Sequence, residues 1–328
     1  MDSADTSLDN QSALIAHMNL ASPILSCCVA LCLTAACSGV TAPRAGAPVS
    51  VARERAVAPY YYLGWGDPPD VQAVMRATGI KWFTLAFMID GGACDPRWDA
   101  ERALDDARDR KLIQTIRSAG GDVMVSFGGQ KGPTLELHCP SSAALAAAYQ
   151  RVIAAYGLSA IDIDIESTSY ADPSAQQRVV EALLMLRAQQ PELAIYITLS
   201  SSTAGPDRTL IERAARAGLA IDGWSIMTFD WDNTSDQQAA LTMAATDRLK
   251  DILMSAYGLG ENQAYERAGI SSMNGRSDED GIVTVADMRE ITRYAKKHKL
   301  ARLTFWSVNR DRPCPDKPKV VDRCSSLA

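Results

Sequence analysis

The sequence predicts a single (β/α)8 TIM barrel of the α/β class, and three observations carry that expectation. From residue 59 onward, short apolar runs rich in branched and aromatic residues alternate with longer amphipathic runs. Repeated βα units of this kind imply a parallel sheet. The strand-like runs number eight, with seven helical runs between them, and eight parallel strands close on themselves. No glycine-rich phosphate fingerprint follows the first strand, which counts against the alternative, a doubly wound open sheet. The 328 residues, 47% apolar and 22% charged, suffice for a large core. That length would also fit two domains, but α/β barrels run to about 250 residues as one.

The elements follow in order. Tyr60–Gly64 is a short aromatic strand and Pro69–Thr78 a helix. Lys81–Ile89 (KWFTLAFMI) reads as a strand, Leu104–Ala119 as an amphipathic helix. Asp122–Phe127 (DVMVSF) precedes the alanine-rich helix Ser141–Tyr156, and Ala160–Glu166 (AIDIDIE) precedes the helix Ala175–Gln190. Leu193–Ser200 and the helix Arg208–Ala217 come next, then Gly223–Asp230 (GWSIMTFD) and the helix Ser235–Tyr257. Gly269–Ser272 is a weak strand, Thr284–Lys299 a helix, and Arg302–Ser307 (RLTFWS) completes the set.

Before the barrel, residues 1–37 read as an export signal. The apolar run Ile24–Ala36 is too short to span a bilayer and fits a signal core, although no basic residue precedes it. Met18 is an alternative start, and a buried helix is the alternative structure. Thr34-Ala35-Ala36-Cys37 resembles a lipoprotein cleavage box, with Cys37 as the residue to be acylated. Thr34 stands where that box usually has leucine, so lipidation stays open. Such an anchor at Cys37 is the only membrane association expected. Residues 38–58 are small, proline-containing and aperiodic, and read as a linker to the barrel at 59–328.

Export gives the remaining cysteines a meaning. Cys94, Cys139, Cys314 and Cys324 are even in number and match no zinc spacing. Of three pairings, Cys94–Cys139 and Cys314–Cys324 are expected: the second closes a short local loop, and the first joins neighbouring loops of a barrel. No metal and no cofactor are expected, and three histidines leave little room for His-based metal sites or several catalytic histidines. With 33 basic and 39 acidic residues, the chain offers no electrostatic case for nucleic acid or anionic lipid. A monomer is expected.

The sharpest chemical signal is Asp162-x-Asp164-x-Glu166. Residues i, i+2 and i+4 of a strand share a face. The isoleucines between the acids must then face the helices, and the acids the barrel interior. Barrel active sites lie where strands end, which makes Glu166 the uppermost acid. Packed like charges cannot all ionise freely, so at least one acid holds a proton near neutral pH. Proton donation to a leaving oxygen needs such a group. Two alternatives remain. One is a solvated strand, which requires the barrel to be wrong. The other is a metal site, which no histidine at a strand end supports.

Asp162-x-Asp164-x-Glu166 resembles the signature of the family-18 glycoside hydrolases, the chitinase family. Ser126-Phe127-Gly128-Gly129 resembles that family's SxGG element and Met227-Thr228-Phe229-Asp230 its MxYD element. Phe305-Trp306-Ser307-Val308-Asn309-Arg310-Asp311 is similar to the last strand of a bacterial, chitinase-D-like branch. The resemblance runs from about Pro59 to Cys324. It implies retaining cleavage of β-1,4 links next to N-acetylglucosamine, with the substrate's own acetamido oxygen as nucleophile. It further implies Glu166 as acid and then base, Asp164 as the group orienting the acetamido, and Asp162 exchanging a proton or hydrogen bond with Asp164. Asp230, Met227, Phe229, Trp231, Ser126, Gly128 and Gly129 would contact substrate, and Trp306 would floor the sugar.

The chain departs from the pattern at Ser159, where the longer motif begins with Asp, and at Phe229, where Tyr is common. The segment after the seventh strand, about 12 residues, is too short for the inserted domain that walls deep clefts. A shallow groove with Trp65, Trp98 and Trp231 as stacking platforms is therefore expected. The loops Asp90–Asp95 and Asn274–Asp278 are weaker candidates for sugar contact. His138 reads as a loop residue.

The expected partner is chitin or its N-acetylglucosamine oligosaccharides. An endo-β-N-acetylglucosaminidase acting on N-glycans and a silent carbohydrate-binding protein are the alternatives.

Overall fold

A computed structural model of the chain describes residues 55–64, 67–231, 237–279, 281–314 and 323–325. The signal segment, Cys37, most of the linker and Trp65 lie outside them.

Eight parallel strands form the barrel wall: β1 (Tyr60–Tyr62), β2 (Trp82–Asp90), β4 (Asp122–Gly128), β5 (Ala160–Ile165), β6 (Ala194–Leu199), β7 (Gly223–Met227), β8 (Ala268–Met273) and β11 (Arg302–Trp306). Each pairs with the next in that order. Helices between them form the outer shell. Their ends follow from local chemistry. Asp70 and Asp106 cap the helices Val71–Thr78 and Ala107–Ser118 by accepting from free backbone N–H groups. Thr284 and Asp287 form a reciprocal capping box on Val285–His298.

The seam between β11 and β1 is closed by backbone outside the strands and by side chains. Leu303 N donates to Ala56 O at 2.7 Å, and Thr304 Oγ1 to Ala58 O at 2.8 Å. Asn309 accepts from Tyr62 N at 2.9 Å and donates to Tyr62 O at 3.0 Å. Residues 55–58, read from sequence as the end of a linker, thus belong to the barrel: Arg55 and Ala58 are buried. Composition misled there because only the closed seam shows what these residues pair with.

Three short strands have no counterpart in the sequence reading. Strand β3 (Pro96–Trp98) pairs antiparallel with β2 and places Met88 opposite Trp98. β9 (Gly275–Arg276) and β10 (Ile282–Val283) make a hairpin between β8 and its helix. Both are too short for a periodicity to register. The expected disulfides are present, Cys94–Cys139 and Cys314–Cys324, with Cα atoms 4.7 and 5.1 Å apart.

Strand alternation builds the interior in layers. Ile161, Ile163 and Ile165 join the core between sheet and helices. Their neighbours point inward. Trp82, Met124, Ala160, Ala194 and Tyr196 form an apolar floor with Ala58. Above it lies a polar layer holding Asp162, Thr84, Thr198 and Arg302, all fully buried. At the top, Tyr60, Tyr62, Phe87 and Trp306 cluster around the open end.

Candidate active site

A cavity of about 220 Å³ opens over the carboxyl ends of the strands, where barrel strands hand over to loops. Asp164, Glu166 and Asp230 bring carboxylates to it. Tyr60, Tyr62, Phe87, Phe229 and Trp306 bring aromatic faces. Trp306 stacks on Phe87 with centroids 5.4 Å apart and planes 12° from parallel, which presents a flat apolar wall.

Glu166 follows β5 in extended conformation, φ −133° and ψ 171°, so the alternation places it above Asp164. Ser167 then takes φ 49° and turns the chain into a short helix. Burial pushes the Glu166 carboxyl up from 4.5 to about 7. The neighbouring Asp164, able to share a hydrogen bond, draws it down, and the Asp230 charge pushes it further up. Burial also raises Asp164 well above the ordinary range; Glu166 and Asp162 add to this, while Tyr60 and Arg302 oppose it. Near neutral pH the pair therefore carries a transferable proton. Asp164 Oδ1 is buried without a protein partner.

Asp162 differs from both. Its Oδ1 accepts from Arg302 Nη1 at 2.7 Å and Thr198 Oγ1 at 2.9 Å. Its Oδ2 accepts from Ser126 Oγ at 2.7 Å and Tyr60 Oη at 2.9 Å. Tyr60 Oη also lies 3.1 Å from Asp164 Oδ2 and so sits between the two aspartates.

Several expected contacts fall elsewhere. Ser126 holds Asp162 and does not line the cavity. Gly128 has φ 104°, and a Cβ there would lie 2.1 Å from Asp164 O; a Cβ on Gly129 would meet the Phe87 ring at 2.9 Å. These glycines permit close backbone approach beneath the cavity and are not part of its wall. Trp98 is no stacking platform: it is fully buried, its Nε1 donating to Tyr156 Oη at 2.8 Å. Trp231 packs against the core and donates to Ser201 O at 2.8 Å, outside the cavity wall. Asp90 is spent on its own turn, accepting from Gly92 N and Asp95 N. Asn274 is buried against Ser307 N, leaving Asp278 as the cavity residue of that loop. His138 bonds Thr134 O at 2.7 Å. Ser159 is exposed and plays no part.

Met227, Phe229, Asp230 and Trp306 do line the cavity. Asp230 has φ 54° and accepts from Glu279 N at 3.1 Å. The sequence reading missed Tyr60, Tyr62, Phe87, Asp99, Gln130 and Lys131 in the wall. Alternation in the Tyr60-Tyr61-Tyr62 run could have shown two inward tyrosines. Asp99 carried no such signal; it arrives through the unforeseen β3 and is held by Tyr62 Oη at 2.8 Å and Arg102 Nη1 at 2.7 Å. Among the described residues no group of three or more His, Cys, Asp or Glu is arranged to hold a metal ion.

A (β/α)8 barrel with a proton-sharing carboxyl pair inside an aromatic-walled mouth has the architecture of a glycoside hydrolase. No family model matches the chain. The chain is 27% identical over 293 residues to "Probable bifunctional chitinase/lysozyme" of Escherichia coli (strain K12), covering 83% of this chain and 33% of that protein. It is 27% identical over 291 residues to "Endochitinase 11" of Metarhizium anisopliae, covering 83% and 56%. It thus spans from a third to little over half the length of these curated relatives. The catalytic domain of a hyperthermophilic chitinase from Pyrococcus furiosus superposes with a TM-score of 0.75 at 27% identity, covering 82% of this chain and 89% of that one. The chain resembles the family-18 glycoside hydrolases in sequence and fold.

Proposed function

We propose that this protein is a chitinase-type glycoside hydrolase, cleaving β-1,4 links of N-acetylglucosamine polymers and oligomers with retention. The observation that carries the reading is the Asp164–Glu166 pair: Asp164 buried, Glu166 half-buried above it, both raised in pKa, and both set in a cavity walled by Phe87 and Trp306. Protonated Glu166 gives its proton to the leaving glycosidic oxygen while the acetamido carbonyl oxygen of the same sugar attacks the anomeric carbon. Asp164 accepts the acetamido N–H, a role supported by its Oδ1 being buried without a protein partner, and its charge offsets the positive charge of the cyclic intermediate. The Glu166 carboxylate then takes a proton from the water that opens that intermediate. Trp306 supports the apolar face of the sugar, and Asp230 borders the ring and adds to the burial that raises Glu166.

The test compares wild type with Glu166→Gln on a chromogenic chitobioside and analyses products from defined chitin oligosaccharides. Loss of turnover with retained oligosaccharide binding supports the reading. Release of intact N-glycans by wild type would favour the endo-β-N-acetylglucosaminidase. Absence of any wild-type turnover would favour a binding protein, which the missing hydroxyl at Phe229 makes a real outcome. Export through residues 1–37 is part of the proposal, supported by the two disulfides. Expression with and without that segment, followed by fractionation and mass analysis at Cys37, tests both export and acylation.

A further inference from the structure

Overall charge makes no case for an anionic surface, but the placement of that charge does. The barrel strands run toward the mouth, so helix C-termini and the segments leading into strands lie at the opposite end, the underside. Arg55 marks that end. Its Nε donates to Tyr196 Oη at 3.0 Å and its guanidinium lies 5.7 Å from the Trp82 ring centroid, against the apolar floor. The chain thus enters the barrel from below, at the seam between β11 and β1.

Around that entry point the underside is basic. Lys296, Lys297 and Lys299 precede β11, and Arg267 precedes its neighbour β8. Arg76 and Lys81 precede β2, on the other side of the entry. All six are exposed. Other charges at this end are paired: Arg117 with Asp122, Arg187 with Asp222, and Lys250 with Asp251 and Glu261. Glu266 lies within the basic arc, beside Arg267, and Glu192 on the far side, before β6. A helix dipole favours cations in the last turn, which accounts for Arg76, Lys296 and Lys297. It does not account for Lys81 and Arg267, which lie beyond their helices. Nor does it account for Lys299, which holds a left-handed cap position, φ 54°, of the kind that Gly79, Gly157 and Gly258 fill elsewhere. The mouth has the opposite character, with Asp99, Asp164, Glu166, Asp230 and Asp278 against Lys131 in the cavity wall.

We propose that the underside docks on an anionic phospholipid membrane and holds the catalytic mouth facing away from the bilayer. The inference rests on the export reading above, in which an acylated Cys37 tethers the chain through residues 38–54, 17 in all. Such a tether reaches at most about 60 Å extended and about 23 Å as a flexible coil. It joins the barrel at the centre of the basic arc and keeps that face beside the bilayer. Anionic lipid attracts each Lys or Arg that comes within a Debye length of it.

The experiment co-sediments the full chain with phosphatidylcholine vesicles and with vesicles in which about 30% of the lipid is phosphatidylglycerol. The apolar leader is present in both arms, so the difference between them reads the charged surface. At about 0.1 M salt the anionic vesicles should bind at least ~100-fold more tightly, and the advantage should close at about 1 M, where the Debye length falls to about 3 Å. Lys296→Gln, Lys297→Gln and Lys299→Gly together should cut the advantage at least ~10-fold. Arg108→Gln, Arg110→Gln and Lys111→Gln make the same change in net charge on the first turns of the helix Ala107–Ser118, toward the mouth, and should cut it less than about threefold. Equal losses from the two triple variants overturn the proposal, because net charge alone would then act. Equal binding to the two kinds of vesicle also overturns it. Retention on immobilised polyphosphate without binding to anionic vesicles overturns it in favour of an anionic polymer. Vesicle-bound protein should turn over a chromogenic chitobioside as fast as free protein, and a large fall on binding would put the mouth against the bilayer and overturn the orientation. Sedimentation needs no turnover: if wild type cleaves no substrate, the hydrolase reading fails and docking is still decided. Fractionation that finds no export removes the membrane from this face and overturns the proposal through its premise, an outcome distinct from failed vesicle binding.

Discussion

The two ends of strand β5 carry the same residue type in opposite conditions. At the lower end, Asp162 has four donors and a buried cation. At the upper end, Asp164 keeps an unpartnered oxygen and Glu166 is pushed up to about 7. Both are buried acids; what separates them is satisfaction. A fully bonded carboxylate rigidifies its surroundings, whereas an under-bonded one is left with affinity for a proton or a ligand. Substitutions above should therefore change rate, and those below should change stability.

The largest expected effect is at the top. Glu166→Gln should cut turnover at least ~100-fold, read on the chromogenic substrate, without lowering the melting temperature. Wild-type activity should fall as pH rises through about 7, because Glu166 must be protonated to act as the acid. The same shift has a stability consequence. Its pKa is raised in the fold, so the proton's stabilising contribution is complete below 4.5 and is lost as pH rises through about 7. Gln mimics the protonated form. The variant should therefore melt above wild type at pH beyond 7, and the difference should vanish below 4.5; equal melts at high pH would break the contrast.

Away from the mouth the effects should move to stability. Trp98→Ala empties a fully buried indole site and should cost about 3–5 kcal/mol by denaturant titration. The substrate KM should hold, because Trp98 is outside the cavity. Reducing the disulfides should lower the melting temperature. Cys94–Cys139 accounts for most of an expected ~2–4 kcal/mol, because it closes the longer loop. Ser126→Ala removes one donor from Asp162 and should cost about 1–3 kcal/mol, with a smaller fall in kcat than at Glu166. A Ser126→Ala variant that loses activity while keeping its stability would show that the lower layer also acts in the chemistry.

These contrasts also mark what could be read before folding. Strand and helix alternation and the shared face of Asp162, Asp164 and Glu166 followed from local periodicity. Each depends on geometry that repeats every two or three to four residues. The same periodicity placed Trp98 and Trp231 at loop positions and left their burial unread. An indole suits a core as well as a sugar, and only its neighbours decide.

By itself the sequence determined the barrel, the acid strand and the inward direction of its carboxylates, because alternation leaves a strand no other way to bury its isoleucines. The tertiary structure alone decided which acid is fully bonded. Arg302 lies 140 residues from Asp162 along the chain, and closure of the barrel is what brings that charge beneath the strand. A carboxylate's reactivity is set by the donors that reach it in space, and those of Asp162 come from four different strands of this barrel.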